Sequence, residues 1–220
     1  VKGHDFPNVT LVGILAADLS LNQNDYRAGE RTFQLLTQAA GRAGRGQKPG
    51  EVVIQTYQPE HYSIVHAARQ DYAGFYEEEI AYRELMQYPP AAHMLAVLVT
   101  SREQEQGAAL SARLAGAVNA LRQGKTRTGR TGNSPGQEAA GAAGGMEQDA
   151  DAERWQLLQV IGPAEASIGR INDLYRHVFY MKHPDYQVLV EIKDNLERLC
   201  KGEELKNQTV QYDFDPMNTY

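Results

Sequence analysis

The 220-residue chain is 42% hydrophobic and 23% charged, the mix of a globular protein with room for one large or two small domains. Its net charge of −6 excludes a general polyanion binder, and its single cysteine, Cys200, excludes an internal disulfide framework or a cysteine-rich zinc site. No apolar run approaches the roughly 20 residues of a membrane-spanning helix, so a cytoplasmic protein with no membrane partner is expected.

The chain opens VKGHDFPNVTLVGILAAD, without a methionine and almost directly on an apolar run, so it is expected to be cut from a larger protein. VTLVGILA (9–16) is continuous rather than alternating, the pattern of a strand covered on both faces. RAGERTFQLLTQAAGRA (27–43) reads as a helix with Phe33, Leu36, Ala40 and Ala43 on one face. A turn at Lys48-Pro49-Gly50 leads into a second strand, GEVVIQTY (50–57). Strand, helix, strand at these spacings predicts part of a parallel α/β sheet with a right-handed crossover. Helices follow at about 60–69 and 71–87, stopped by the prolines of TyrProPro, 88–90.

Beyond residue 90 the order changes. Strands are expected at 93–101, 155–162, 174–183 and 209–215, with helices at 103–122 and 184–202. That βαββαβ order is the split βαβ, or ferredoxin-like, α+β sandwich. The domains are therefore placed at 1–90 and 91–220. The stretch 124–153 holds seven glycines and no aromatic residue, and it reads as a flexible insertion. Arg122, Lys125, Arg127 and Arg130 precede Glu147, Asp149, Asp151 and Glu153, so its basic end is either a solvated loop or a nucleic-acid contact.

Residues 1–48 carry six cations and four acids, net +2, leaving −8 for the remainder, so phosphate chemistry is expected in the first part. There, QAAGRAGRG (38–46) sets Arg42 and Arg45 three residues apart among small residues. Either a helix frays here into water, or the small residues admit a phosphate that the arginines meet. Gln38, one turn earlier, would share that face. A glutamine and two forked guanidiniums can hold a γ-phosphate and stabilise charge developing during its transfer. KGHDFPNV (2–9) stands just before the first strand, where ligand-contacting loops of open α/β sheets gather. Gly3 allows close backbone approach there. Asp5 either accepts from a ribose hydroxyl or merely caps a turn.

Along 174–183, an aromatic and two cations, Tyr175, Arg176 and Lys182, suit tracking of a nucleic-acid backbone with base stacking, the alternative being core packing. Alternation puts Tyr175 and Arg176 on opposite faces. Trp155 and Cys200 read as core, and the six histidines lack metal-ligand spacing.

Together 2–9 and 38–46 resemble motifs V and VI of superfamily 2 helicases. DYRAGERTFQLLTQAAGRAGRG (25–46) is similar, more narrowly, to the PriA (primosomal protein N′) family of replication-restart DNA helicases, as are 88–90, VIGPAEASIGRINDLYRHVFYMK (160–182) and DFDPMN (213–218). The resemblance implies half of a RecA-like helicase lobe at 1–90. It implies an ATP-driven translocase that acts on branched or forked DNA with single-stranded DNA-binding protein and primosome proteins, as a monomer. It implies that Gly3 and Asp5 contact nucleotide, that Gln38 and Arg42 contact phosphates, and that Arg45 is the arginine finger. The phosphate-cradling loop, the magnesium ligands and the family's zinc sites are expected upstream. Ala91, where the family usually has an aromatic residue, and Asn172-Asp173, where it tends to be basic, depart from the pattern. The rival reading is a non-enzymatic DNA- or protein-binding module.

Overall fold

A computed structural model describes residues 8–23, 25–44, 48–130, 150–202, 205 and 207–220, with main chain alone at 127–130. It is a mixed α/β structure that divides into two units, Val1–Met86 with Met217–Thr219, and Gln87–Pro216 with Tyr220.

In the first unit, β1 (Leu11–Ile14) pairs in parallel with β2 (Glu51–Ile54), and α1 (Ala28–Ala40) connects them after a short 3-10 turn at Ala17–Leu19. The helical periodicity is borne out: Phe33, Leu36 and Ala40 are buried on one side of α1. Phe33 and Leu36 meet Ile64 and Ala67 of α2 (Tyr62–Arg69) and Phe75 of α3 (Tyr72–Met86), with the Phe33 and Phe75 rings stacked 4.2 Å apart. The expectation of a strand covered on both faces is not met. β1 is four residues long and alternates, and Leu11 and Val53 remain 60% and 52% exposed. Only the other face of this pair, with Ile14 and Ile54, reaches the core.

A buried charge network fastens the three helices. The Arg83 guanidinium donates from Nε to Glu79 Oε1 at 2.7 Å and from Nη2 to Glu30 Oε2 at 2.8 Å, while Tyr62 Oη donates to Glu79 Oε2 at 2.7 Å. The packing is close enough that a Cβ on Gly29 would lie 2.6 Å from Tyr62 Oη and would displace that side chain. At the far end of the strands, Asp18 accepts from the Thr56 hydroxyl and, at 2.8 Å, from the Tyr57 amide, which hold its carboxyl below the usual carboxylate range.

The second unit is a four-stranded antiparallel sheet ordered β4-β5-β3-β6, built from β3 (His93–Ser101), β4 (Gln159–Ile171), β5 (Leu174–His183) and β6 (Gln208–Phe214). Helices α4 (Gln104–Arg130) and α6 (Tyr186–Lys201) pack on one face, over Leu95, Val97, Val99, Phe179 and Met181. Asp185 caps α6 by accepting from the Gln187 amide at 2.8 Å. The hairpin between β4 and β5 turns on Asn172 (φ 50°) and Asp173 (φ 62°), a left-handed pair that suits short polar side chains.

Two expectations are corrected here. Trp155 does not open a strand: it lies in a short helix, α5 (150–156), and is fully buried against α4 and α6, while β4 starts at Gln159. Nor is 124–153 an insertion throughout. α4 runs on to Arg130, and 150–153 belong to α5, while 131–149 lie outside the described residues. Lys125 explains part of the extension, since its ammonium lies 3.5 Å from Asp151 and 5.4 Å from the centre of the Trp155 ring.

Removing one partner of a buried ion pair strands the others, so Arg83→Ala should lower the stability of the first unit by about 3 kcal/mol, and Arg83→Met by less. Urea unfolding checks this, and a loss below about 1 kcal/mol for both variants would make the network incidental.

A second measurement concerns pH. His66 Nε2 lies 3.0 Å from Glu78 Oε1 and its Nδ1 3.1 Å from Asp71 Oδ2. Glu78 first, then Asp71, push the imidazole pKa up against the opposing effect of burial. Because the folded value is raised, this stability is fully present below the ordinary imidazole pKa of about 6.5 and is lost as pH rises through the folded value. Thermal unfolding between those pH values should show that decline in the wild type, and His66→Gln should flatten it. An unchanged slope in the variant would assign the effect elsewhere.

Candidate phosphate site and candidate nucleic-acid interface

α1 runs back along the strands, so its C-terminus returns to the ends at which β1 and β2 begin. The helix closes at Gly41, whose amide donates to Thr37 O at 2.9 Å, and the chain then winds through single turns, Arg42 N to Ala39 O (3.1 Å) and Ala43 N to Ala40 O (3.0 Å). At Gly44 it reverses. Gly44 has φ 71°, and its amide donates to Val9 O at 2.9 Å, while Glu51 N donates to Thr10 O at 2.8 Å. The turn after α1 is thereby sewn to the residues just before β1, which joins the two sequence blocks singled out for phosphate and nucleotide contact.

Two of the small residues here shape the backbone itself. A Cβ on Gly44 would lie 3.0 Å from Gly50 N, and one on Gly50 would collide with Gly44 N and with Ala43. Gly44 and Gly50 let two stretches of backbone pass at contact distance. Val9 and Gly44 meet at the amino ends of β1 and β2, whereas the crevice rule for open α/β sheets concerns the carboxyl ends of strands.

Gln38 is exposed on the last turn of α1, and Arg42, four residues on and half-buried, shares its side of the helix. Gly3, Asp5 and Arg45 lie outside the described residues. Asp18, which sequence reading passed over, clamps the opposite end of the strands. Its only signal was an acid directly after an apolar run.

On β5 the three candidate residues are separated. Tyr175 pairs across with Ser101 and faces the helices' side, with Arg170 over its ring at 5.0 Å. Arg176 and Lys182 point to the other face. Lys182 is 4% exposed, its ammonium 3.4 Å from the centre of the Tyr88 ring, and burial pulls its pKa down. A backbone tracking along β5 cannot meet all three side chains. Arg176 is half-buried and donates from Nη1 to Ile168 O at 3.0 Å. At the basic end of the former insertion, Lys125 is drawn to Asp151 and Glu191, and Arg122 Nη1 donates to Leu158 O at 3.1 Å. Cys200 is half-buried against the core, 3.9 Å from Tyr212 Oη.

Among the described residues no group of three or more His, Cys, Asp or Glu side chains is placed to hold a metal ion, and no helix is long and apolar enough to cross a membrane.

Comparison with known proteins defines the class first. Residues 84–217, nearly the whole second unit, match the family described as "Primosomal protein N C-terminal domain". The chain belongs to this family, that of the PriA proteins. It is 36% identical over 216 residues to the replication restart protein PriA of Bacillus subtilis, covering 98% of this chain and 23% of the relative. It is 30% identical over 217 residues to that of Synechocystis, covering 99% and 22%, and 50% identical over 94 residues to that of Chlamydia pneumoniae, covering 43% and 13%. The chain thus spans under a quarter of the length of these curated relatives.

Because Gly50 has no room for a Cβ, Gly50→Ala must push the turn at Gly44 away from β2 and should cost about 2 kcal/mol or more. Amide exchange at Gly44 and Glu51 reads the local opening directly. Protection as slow as in the wild type would mean that the close approach does not hold the turn.

Proposed function

We propose that the chain is part of an ATP-dependent DNA helicase acting in replication restart and primosome assembly. In this reading the first unit is half of a RecA-like lobe that supplies phosphate contacts, and the second is a ferredoxin-like domain that binds DNA or a partner. The observation that supports it is the hydrogen bond from Gly44 to Val9, which ties the turn that follows Arg42 to the last residue of the block 2–9. Gln38 and Arg42 then approach the phosphates, Gly3 and Asp5 the nucleotide, and Arg45 serves as the arginine finger. The exposed sheet face at Leu11 and Val53 agrees with a lobe completed by further residues of a longer polypeptide, since parallel sheets are normally covered on both faces. ATP binding, magnesium and zinc are assigned to that longer polypeptide. Branched or forked DNA, single-stranded DNA-binding protein and primosome proteins are its proposed partners. For the second unit, the strand order agrees with the ferredoxin-like reading.

A non-enzymatic binding module is the second reading. It draws on the self-contained core of the second unit, where Trp155, Phe179 and Ile192 are completely buried.

ATP turnover separates the two. In the full-length protein, Arg45→Ala should lower DNA-stimulated hydrolysis by about 10³-fold or more with nucleotide binding largely kept, because an arginine finger acts on charge that develops in the transition state. Unchanged turnover in that variant would make Arg45 a surface cation, and a full-length protein without ATP hydrolysis would favour the module.

A further inference from the structure

The face of the four-stranded sheet turned away from α4 and α6 carries Leu98, Val178, Tyr180 and Arg176 and, through the pairing of Ala96 with Asp213, the Asp213 carboxylate. One flat ring lies on it. Tyr220 packs against the small cluster of Leu98, Ala166, Val178 and Tyr180. The hydroxyl, the amide and a main-chain oxygen of Tyr220 are all engaged. Its hydroxyl donates to Asp213 Oδ2 at 2.8 Å, and its amide donates to Tyr180 Oη at 2.9 Å. Its main-chain oxygen accepts from the Ser167 amide at 3.0 Å and from the Ser167 hydroxyl at 2.8 Å. The Arg176 guanidinium lies over the ring, 5.7 Å from its centre. Burial and the Asp213 carboxylate push the phenol up to about 12, so the ring stays neutral and keeps donating at physiological pH.

We propose that this place is a nucleobase-stacking site of the second unit and that Tyr220 fills it in the absence of nucleic acid, as a self-ligand that single-stranded DNA must displace. The site has what a base in a single strand requires: an apolar floor, an acceptor at the ring edge, and a cation above the ring that can stack on a base or meet a phosphate. The acceptor gives the site a preference. An exocyclic amino group of cytosine or adenine can donate to Asp213 Oδ2 as the Tyr220 hydroxyl does, whereas thymine, bearing carbonyls at the corresponding positions, offers only its ring N–H. With Tyr220 in place, only the fraction of molecules with the ring swung out is competent to bind, and apparent affinity is reduced by that fraction. The inference rests on the DNA-binding reading of the second unit given above.

The test titrates the intact 220-residue chain, wild type and variants, with fluorescein-labelled 12-mers of dC and of dT at two salt concentrations. Tyr220→Ala should bind dC tighter by about 3- to 30-fold, the inverse of the open fraction. Tyr220→Phe, which keeps the ring and loses the bond to Asp213, should show a smaller gain. Adding Arg176→Ala to Tyr220→Ala should abolish the gain, and Asp213→Asn should narrow the difference between dC and dT. If the wild type binds and neither Tyr220 variant binds tighter, the self-ligand idea is overturned while the DNA reading stands. Should Tyr220→Ala fail to fold and Tyr220→Phe show no gain, Tyr220 is a structural brace, which also overturns it. Absence of binding by every variant would remove the DNA reading of this unit and the inference with it.

Discussion

The position of α1 depends on one buried guanidinium. Arg83 reaches from α3 to Glu79 on its own helix and to Glu30 on α1, and Glu79 in turn receives the Tyr62 hydroxyl from α2. Both carboxylates lower their energy by holding a cation that cannot lose its proton, and Arg27 adds a second donor to Glu30 at 2.9 Å. Apolar packing of Phe33 on Phe75 would tolerate small slides of one helix on another. Directional charge-assisted bonds would not. The network is therefore better understood as fixing register than as adding net stability, because desolvation offsets much of its Coulombic gain. What it registers is α1, and α1 delivers Gln38 and Arg42 to the ends of the strands.

In the second unit, the corresponding constraint is the division of the sheet into an apolar face and a mixed one. β3 alternates between both, so Leu95, Val97 and Val99 enter the helical core while Ala96 and Leu98 line the other side. That other side buries a lysine under an aromatic ring at one end and a tyrosine under an arginine at its middle. A cation over a ring helps to bury either partner, because the ring offers a negative face without asking for a hydrogen-bond donor. The cations of β5 are thus held by aromatic groups of their own unit before any nucleic acid is considered.

How much of this was legible in the sequence varied with the physics behind each element. β3 and β5 occur at the residues expected because nine or ten consecutive residues there have strong strand preference and no competing turn signal. In β1 the apolar run gave the strand but not its shorter extent, Leu11–Ile14, nor which residues of the described chain cover each face. Trp155 was misplaced because the short helix that carries it borders a glycine-rich stretch, and a seven-residue helix has too few turns for its period to stand out. Alternation correctly separated Tyr175 from Arg176, yet it could not say that Tyr88, far away in sequence, would close over Lys182. The string 38–46 stood out by its residues, while the end of the sheet that Gly44 reaches followed from helix direction, which the string does not encode.

The opening puzzle of that string, two arginines among residues with almost no side chain, resolves into a division of labour. Gly41 ends the helix, and Gly44 takes a left-handed turn that places its amide on Val9. Gly50 then passes close enough to Gly44 that no side chain fits between them. None of these contacts involves a ligand. They bring the end of α1, Val9 and Thr10 just before β1, and the start of β2 to one place. An arginine on a freely swinging loop would lose much of its binding energy to ordering. Gln38, on the last turn of the helix, and Arg42, in the first turn beyond it, are held on a backbone that these glycines keep close-packed.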